Sequence, residues 1–399
     1  MRIAREGPAI TAGARVPPAD DETVARTLDY VAALAPPAPA LWRAALTAFD
    51  TAVLLRHGRR FQGMALPDRQ ALLESWKGSD ADGRPKPLRR MIDFVLKPIL
   101  AAHFSRPDYL GAIGYPDLVH KVREAPARWM RQVTGAEELE AETTIEAQVV
   151  VVGTGAGGAA MAAKLAEAGL AVAVVEEGRW RSRAAFSGDP MDRMRALYRD
   201  NGMTFTTGRP PISVPMGRMV GGTTAINSGT CLRTPDAVLA QWRDQLGLPE
   251  DFSPDAFGRH LDQVEAELRV TPNDARYLGR IAEMVAAGAE AMAMPHAPLP
   301  RNAPDCDGQG TCILGCPTDA KRSTNVSWMP RALRAGAQTF TGLPVTRLLM
   351  RGRRCVGVEA RGADRFGAAK VLRIRADAVV LACGSLLTPS LLLDNGFRL

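Results

Sequence analysis

Apolar residues change their period along the chain, and the change divides it. From Asp21 to about Arg131 they recur at helical spacing. In "LRRMIDFVLKPILAAHF" the stripe Leu88, Met91, Ile92, Val95, Leu96, Ile99 and Leu100 follows spacings of three and four, the pattern of one amphipathic helix. "LPDRQALLESW" puts Pro67 and Asp68 in the first turn of another, and "KGSDADGRPKP" reads as a turn-rich break between the two. Residues 1–21, rich in Pro, Ala and Gly, read as a loose tail. "TGAEELEAETTIE" reads as an acidic connector, so a helical domain is expected over 1–142.

The texture then turns to strands alternating with helices. "AQVVVVGTGAGGAAMAAKLAEAGLAVAVVEEG" reads as a buried strand, a glycine turn, an alanine-rich helix and a second strand, the opening β-α-β unit of a dinucleotide fold. Residues 236–335 alternate short helical patterns with Pro-bearing loops. "PVTRLLM", "CVGVEA" and "KVLRIRADAVVLACG" read as strands, and "SLLTPSLLLDNG" as a helix with Asn395 and Gly396 at its end. The expected class is α/β. A Rossmann-like domain is built in two parts, 147–235 and 341–399, around an inserted cap or substrate region at 236–340, and is preceded by the all-α domain. No internal repeat is visible.

Composition sets limits. Apolar residues make up 46% of the 399 residues and charged residues 23%, a globular balance. Lys and Arg outnumber Asp and Glu by 50 to 43, with the excess scattered. That is a solvated surface and not a nucleic-acid groove, although association with an anionic membrane is compatible with it. No stretch reaches the ~18 apolar residues of a membrane-spanning helix. The opening "MRIAREGPAI" lacks a secretory core. The expectation is a cytoplasmic protein, membrane association left open, with reduced thiols.

The glycine turn carries the first chemistry. In "VVVVGTGAGG", Gly153 permits the tight strand-to-helix turn, Gly155 lets backbone approach a pyrophosphate, and Gly158 lets helix and strand pack closely. The helix start offers free N–H groups to phosphate. Glu176 ends the second strand, 23 residues after Gly153, where a carboxylate can accept two ribose hydroxyls. In "PMGRMVGGTTAINSGTCLR", paired glycines let backbone N–H groups face an anionic or carbonyl oxygen, with hydroxyls and an amide beside them.

These motifs resemble the glucose-methanol-choline (GMC) oxidoreductases, a family of FAD enzymes. "GRMVGGTTAIN" is similar to the family's first flavin-contact signature and "ADAVVLACGSLLTPSLLLDNG" to its second. "VTRLL" resembles the strand whose backbone reads the adenine. The resemblance implies that Gly153, Gly155, Gly158 and Glu176 hold the ADP half. Gly221, Gly222, Thr223 and Asn227, with Arg218 nearby, line the flavin and pyrophosphate, and Val345 and Gly384 complete the site. Thr224 and Arg218 have loop hydrogen bonding as an equal alternative. Ile226 stands where some members carry the His that bonds FAD covalently, so non-covalent FAD is expected. Among relatives the chain leans toward long-chain alcohol oxidases and cholesterol-oxidase-like members. That implies hydride transfer from a long-chain alcohol or sterol, with oxygen or a redox partner as acceptor. "FQGMALPDRQALLESW" and "FSRPDYLGAIGYPD" resemble the small, subunit-3-type component of gluconate dehydrogenases.

The family's catalytic base is a C-terminal His. The five histidines here, His57, His103, His120, His260 and His296, match no catalytic motif of the family, so none is assigned a role. The segment bearing that His is expected beyond Leu399, which would leave this chain an FAD-binding fragment inactive alone. Three cysteines remain, Cys306, Cys312 and Cys316, spaced C-x5-C-x3-C among glycines. Three thiolates suit a three-iron [3Fe-4S] cluster, and the spacing resembles the cluster loop of FAD-dependent sugar dehydrogenases. "GCPTDAKRSTNVSW" resembles the alcohol oxidases as well, which implies a structural Cys-Gly loop, the preferred reading. Zinc lacks a fourth ligand, with His296 and Asp305 poor candidates. Cys231, Cys355 and Cys383 read as ordinary buried cysteines.

Overall fold

Asp20 opens the first helix, α1 (Asp21–Ala32), by accepting the Thr23 amide at 3.2 Å. The computed structural model describes residues 17–34, 36–77, 87–115 and 127–398. It continues with α2 (Ala38–His57), α3 (Leu66–Lys77), α4 (Pro87–Phe104) and α5 (Pro107–Ala112). The stripe on α4 packs as its spacing requires. Ile92 is buried with Phe49, Val53, Leu72 and Trp76 in one apolar cluster, and Val95 is buried too, while Leu100 at the end of the stripe is exposed. Asp68 lies in the first turn of α3. The break expected after Lys77 lies almost wholly outside the described residues, as do His120 and most of the tail.

These helices form one unit, and two later segments, Gly188–Arg195 and Asp200–Val214, belong to it. Tyr30 packs with Leu34 and Met191. Its phenol donates to the Asn201 carbonyl at 3.0 Å. The dinucleotide part expected over 147–235 is therefore interrupted: its middle supplies core residues to the helices.

The second unit holds residues 127–187, Ala196–Arg199 and 215–398. Its strands are β1 (Val133–Gly135), β2 (Glu142–Val152), β3 (Val172–Glu176), the short pair β4 (Thr271–Pro272) and β5 (Pro300–Arg301), then β6 (Gln338–Thr341), β7 (Val345–Arg351), β8 (Arg354–Ala363) and β9 (Ala369–Leu381). Its helices are α6 (Ala156–Glu167), α8 (Asp236–Leu246), α9 (Pro254–Leu268), α10 (Gly279–Ala291), α11 (Trp328–Arg334) and α12 (Leu387–Asp394), while most of α7 (Pro190–Leu197) belongs to the helical unit. One sheet runs in the order β1-β6-β3-β2-β9-β8-β7. Its first five strands are parallel, and β8 and β7 continue it antiparallel.

The valine run explains the centre of this sheet. A parallel strand covered on both faces needs apolar residues at successive positions. Val150 and Val152 enter the cluster with Val175, Phe340 and Leu372. Val149 and Val151 enter the opposite cluster, with Ala159 and Ala163 of α6 and Ala332 of α11.

Two boundaries differ from expectation. The acidic connector is structured: β1 pairs with β6, Gly135 opposite Thr341, and a 3-10 turn covers Ala136–Glu138. The sheet unit thus begins before residue 133, not near 142. The inserted region also ends early, because β6 pairs with β1 and β3 and α11 packs on α6. β6 is only four residues with two threonines, too short and polar to announce itself as a core strand. Among the described residues no helix is long and apolar enough to cross a membrane.

Candidate active site

β2 ends at Val152, and the chain must turn at once into α6. Gly153 makes that turn at φ 98°, and a Cβ there would lie 2.4 Å from the Ala382 carbonyl oxygen. A Cβ on Gly158 would lie 2.0 Å from the Gly153 carbonyl oxygen. The protein's own packing therefore demands both glycines. Gly155 is different: nothing lies within 4 Å of its Cβ position. Its open side adjoins the first turn of α6, whose amides have no carbonyl ahead of them. That combination fits a pyrophosphate.

Thr154, between these glycines, is fully buried and ties four strands of chain together. Its amide and hydroxyl both donate to Glu176 Oε2, at 3.0 and 2.6 Å. The hydroxyl accepts the Gly221 amide at 3.0 Å, and the carbonyl accepts the Thr324 hydroxyl at 2.8 Å. Glu176 Oε1 takes the Gly178 amide at 2.8 Å. The carboxylate expected to receive two ribose hydroxyls thus first serves the turn. An ionised carboxyl accepts roughly four hydrogen bonds, so little capacity is left beyond these three. Burial pushes its pKa up, against the bonds from Thr154 and Gly178.

The second glycine motif meets the first. Gly221 and Gly222 take φ 105° and 50°, and a Cβ on Gly222 would stand 3.2 Å from Gly155 Cα. The two turns are in backbone contact. A 3-10 turn over Gly222–Ala225 follows. Thr223 Oγ1 accepts the Gly217 amide at 3.2 Å. Thr224 Oγ1 donates to the Gly221 carbonyl at 2.6 Å, and Asn227 Oδ1 accepts the Gly229 amide at 3.0 Å. Thr224 therefore does the loop bonding named as its alternative. The side chain of Arg218 is exposed.

The chain's return completes the arrangement. The Ala382 amide donates to the Val152 carbonyl at 2.8 Å, and the Leu343 amide to the Glu176 carbonyl at 3.1 Å. Gly384, at φ 90°, leads into α12. The carboxyl ends of β2, β3 and β9 and the start of β7 at Val345 therefore meet around the glycine turn. Open α/β sheets bind ligands at such an end.

Residues that sequence reasoning passed over lie behind this surface. Lys321 is 1% exposed. Its ammonium donates to the carbonyls of Ala225, Asn227 and Cys312 at 2.9, 2.6 and 2.9 Å. Burial pushes its pKa down to about 8, against the Cys312 and Cys316 sulfurs. Thr324 and Asn325 are buried against the Gly221 loop, the Thr324 amide donating to Thr224 Oγ1 at 3.1 Å and its hydroxyl to the Gly221 carbonyl at 3.3 Å, and Asn325 Oδ1 standing 3.0 Å from the Gly221 Cβ position. The only trace in sequence is the polar run "KRSTN" before an apolar helix.

Cys306, Cys312 and Cys316 line one small cavity with Arg301, Thr311 and Lys321. Each sulfur has its own donor: the Gly308 amide to Cys306 at 3.4 Å, Arg301 to Cys312 at 3.0 Å, the Lys321 amide to Cys316 at 3.4 Å. The described residues contain no group of three or more Cys, His, Asp or Glu placed to hold a metal ion, so the arrangement gives the iron–sulfur reading no support. Asp305 pairs with Arg269 and His296 lies 3.6 Å from Glu290. Cys231, Cys355 and Cys383 are half-buried rather than buried. Of the described histidines, His57 and His103 belong to the helical unit, and His260 and His296 are exposed.

A glycine turn at the carboxyl edge of a parallel sheet, braced by a returning strand, defines a dinucleotide-binding fold, and residues 148–197 match the FAD binding domain family. Residues 194–398 match the GMC oxidoreductase family, and the chain belongs to it. An uncharacterised GMC-type oxidoreductase of Mycobacterium tuberculosis is 43% identical over 271 residues, 68% of this chain and 42% of that protein. Another, from Sinorhizobium fredii, is 34% identical over 266 residues, 66% of this chain and 52% of that one. A long-chain-alcohol oxidase of Arabidopsis thaliana is 33% identical over 264 residues, 64% of this chain and 35% of that one. The chain spans about half the length of these relatives or less.

Proposed function

We propose that this protein binds FAD non-covalently and belongs to an enzyme that oxidises the CH–OH group of a long-chain alcohol or sterol. The observation that carries the reading is the contact of the Gly222 loop with the Gly155 turn, beside the open face of Gly155. In this reading the Gly153–Gly158 turn and Glu176 hold the ADP half. The Gly221–Asn227 loop holds the pyrophosphate and flavin side, and the Val345 backbone reads the adenine. Ile226 in place of a His supports non-covalent attachment. The resemblance to long-chain-alcohol oxidases supports the substrate class. When bound, FAD supplies the acceptor for hydride from the carbinol carbon. Oxygen or a redox partner then takes the electrons. The Cys loop acts as a structural loop, a reading supported by the separate donor on each sulfur. About three irons per chain in anaerobically purified protein would overturn it.

No described histidine is bonded into the loops of this site, and a positioned base contributes ~10²–10⁴ in rate. The 399-residue chain should therefore turn over slowly by itself. Anaerobic addition of hexadecanol to the FAD-loaded chain should bleach the flavin absorbance slowly, and ethanol more slowly still. Bleaching by a sugar with none by hexadecanol would reject the substrate class. Rapid bleaching would reject the slow-turnover reading.

A further inference from the structure

Lys321 is an ammonium held out of water, and among the described residues no carboxylate pairs with it. Such a charge is costly, and an apolar side chain of similar length would fill the space at less cost. It is tolerated because an ammonium has three donors and all three are used. The carbonyls it grips come from two separate loops. Ala225 and Asn227 belong to the loop that abuts Gly155, and Cys312 belongs to the Cys loop. The space is closed on the near side, since a Cβ on Gly229 would lie 3.3 Å from Lys321 Cδ. The Cys loop is firmly seated. Thr311 is buried, the Leu314 amide donates to the Thr311 carbonyl at 2.8 Å, and the Phe186 ring would lie 2.4 Å from a Cβ on Gly315. The Lys321 amide also bonds Cys316 Sγ. A rigid loop and a cofactor-facing loop are thus fastened through one side chain.

We propose that Lys321 is the positioning residue of the Gly221–Asn227 loop, and that the Cys loop serves as its splint. The splinting stands on the contacts above; its consequence for FAD rests on the proposed function. The test uses the full chain, with Lys321→Met and, as a control for general destabilisation, Val358→Ala in the core of β8. Amide exchange is measured without FAD, and FAD affinity by titration. Lys321→Met should raise exchange at 221–231 and 306–318 together by about tenfold or more, leaving β2, β3 and β9 unchanged. It should weaken FAD binding by about tenfold, whereas Val358→Ala should change it by less than about threefold. Exchange in both loops unchanged, raised in one loop only, or raised evenly through the unit would overturn the proposal. So would unchanged FAD affinity in Lys321→Met when the wild type binds. If the wild type takes up no FAD, the function reading fails and the exchange data alone decide the role of Lys321. Should Lys321→Met not fold, the wild type still tests the link. Loops fastened through one ammonium open together, so equal opening free energies at 221–231 and 306–318 support it, and unequal ones overturn it.

Discussion

Replacing Thr154 by Val keeps the shape of the side chain and removes one hydroxyl. That hydroxyl is fully buried, donates to Glu176 Oε2 at 2.6 Å and accepts the Gly221 amide at 3.0 Å. Losing a bond to a charged acceptor costs about 1.5–3 kcal/mol, and leaving the Gly221 N–H buried without its acceptor about 1–3 kcal/mol. The two overlap, because Glu176 keeps the Thr154 and Gly178 amides. We predict a loss of roughly 3–4 kcal/mol in the stability of the sheet unit. The bond from Thr154 also holds the Glu176 pKa down against burial, so the variant should be less stable still toward neutral pH, where the carboxyl must ionise. Thr154→Ser keeps the hydroxyl and should stay within about 1 kcal/mol of the wild type. The assay is amide exchange in β2 and β3, which reports this unit whether or not the helical unit unfolds with it. A Thr154→Val protein within about 1 kcal/mol of the wild type, or a Thr154→Ser protein equally damaged, would refute the account of the turn.

Two further predictions test the site and its frame. Gly158→Ala should disrupt the sheet unit by more than about 3 kcal/mol, because its Cβ would meet the Gly153 carbonyl at 2.0 Å. Gly155→Ala should cost under about 1 kcal/mol yet weaken FAD binding about tenfold or more; comparing melting and FAD titration of the pair checks this, and equal melting of both proteins would contradict it. Glu267 should give the unit an acid limb. Burial raises its pKa, but bonds from Trp328, Arg331, Gln263 and Lys164 outweigh that and hold it at about 2. A depressed carboxylate pKa adds stability above its ordinary range that is lost as pH falls toward 2. Glu267→Gln should therefore flatten the pH profile between about 4.5 and 2 by roughly 1–2 kcal/mol, seen in acid melts. An unchanged slope would show the cluster to be idle.

Local chemistry was the legible part of this chain. The glycine turn could be read because turn, helix, second strand and acid follow each other within 24 residues, 153–176, straight after an apolar strand. The paired glycines and the returning strand could be read because backbone that must approach backbone leaves glycine as its trace. What could not be read acts across the chain. Thr154 bonds Gly221 and Thr324, 67 and 170 residues away, and a threonine in a glycine run carries no mark of that. Nothing in the sequence marks Lys321 as buried, since burial of a cation is decided by carbonyls 94 and 96 residues upstream. β1 and β6 escaped because three- and four-residue strands have too little period to detect. The segment 200–214 misled for the opposite reason: its sequence is continuous with the dinucleotide part, but it packs with the helices.

The central claim is that the turn and loop around Gly155 form an FAD site. Calorimetric titration of the purified chain, stripped of cofactor, with FAD and separately with NAD tests it most directly. The account predicts one FAD bound per chain, a yellow protein whose flavin is released intact on denaturation, and little or no heat with NAD. A folded protein that stays colourless with FAD, or that binds NAD more tightly, would contradict it.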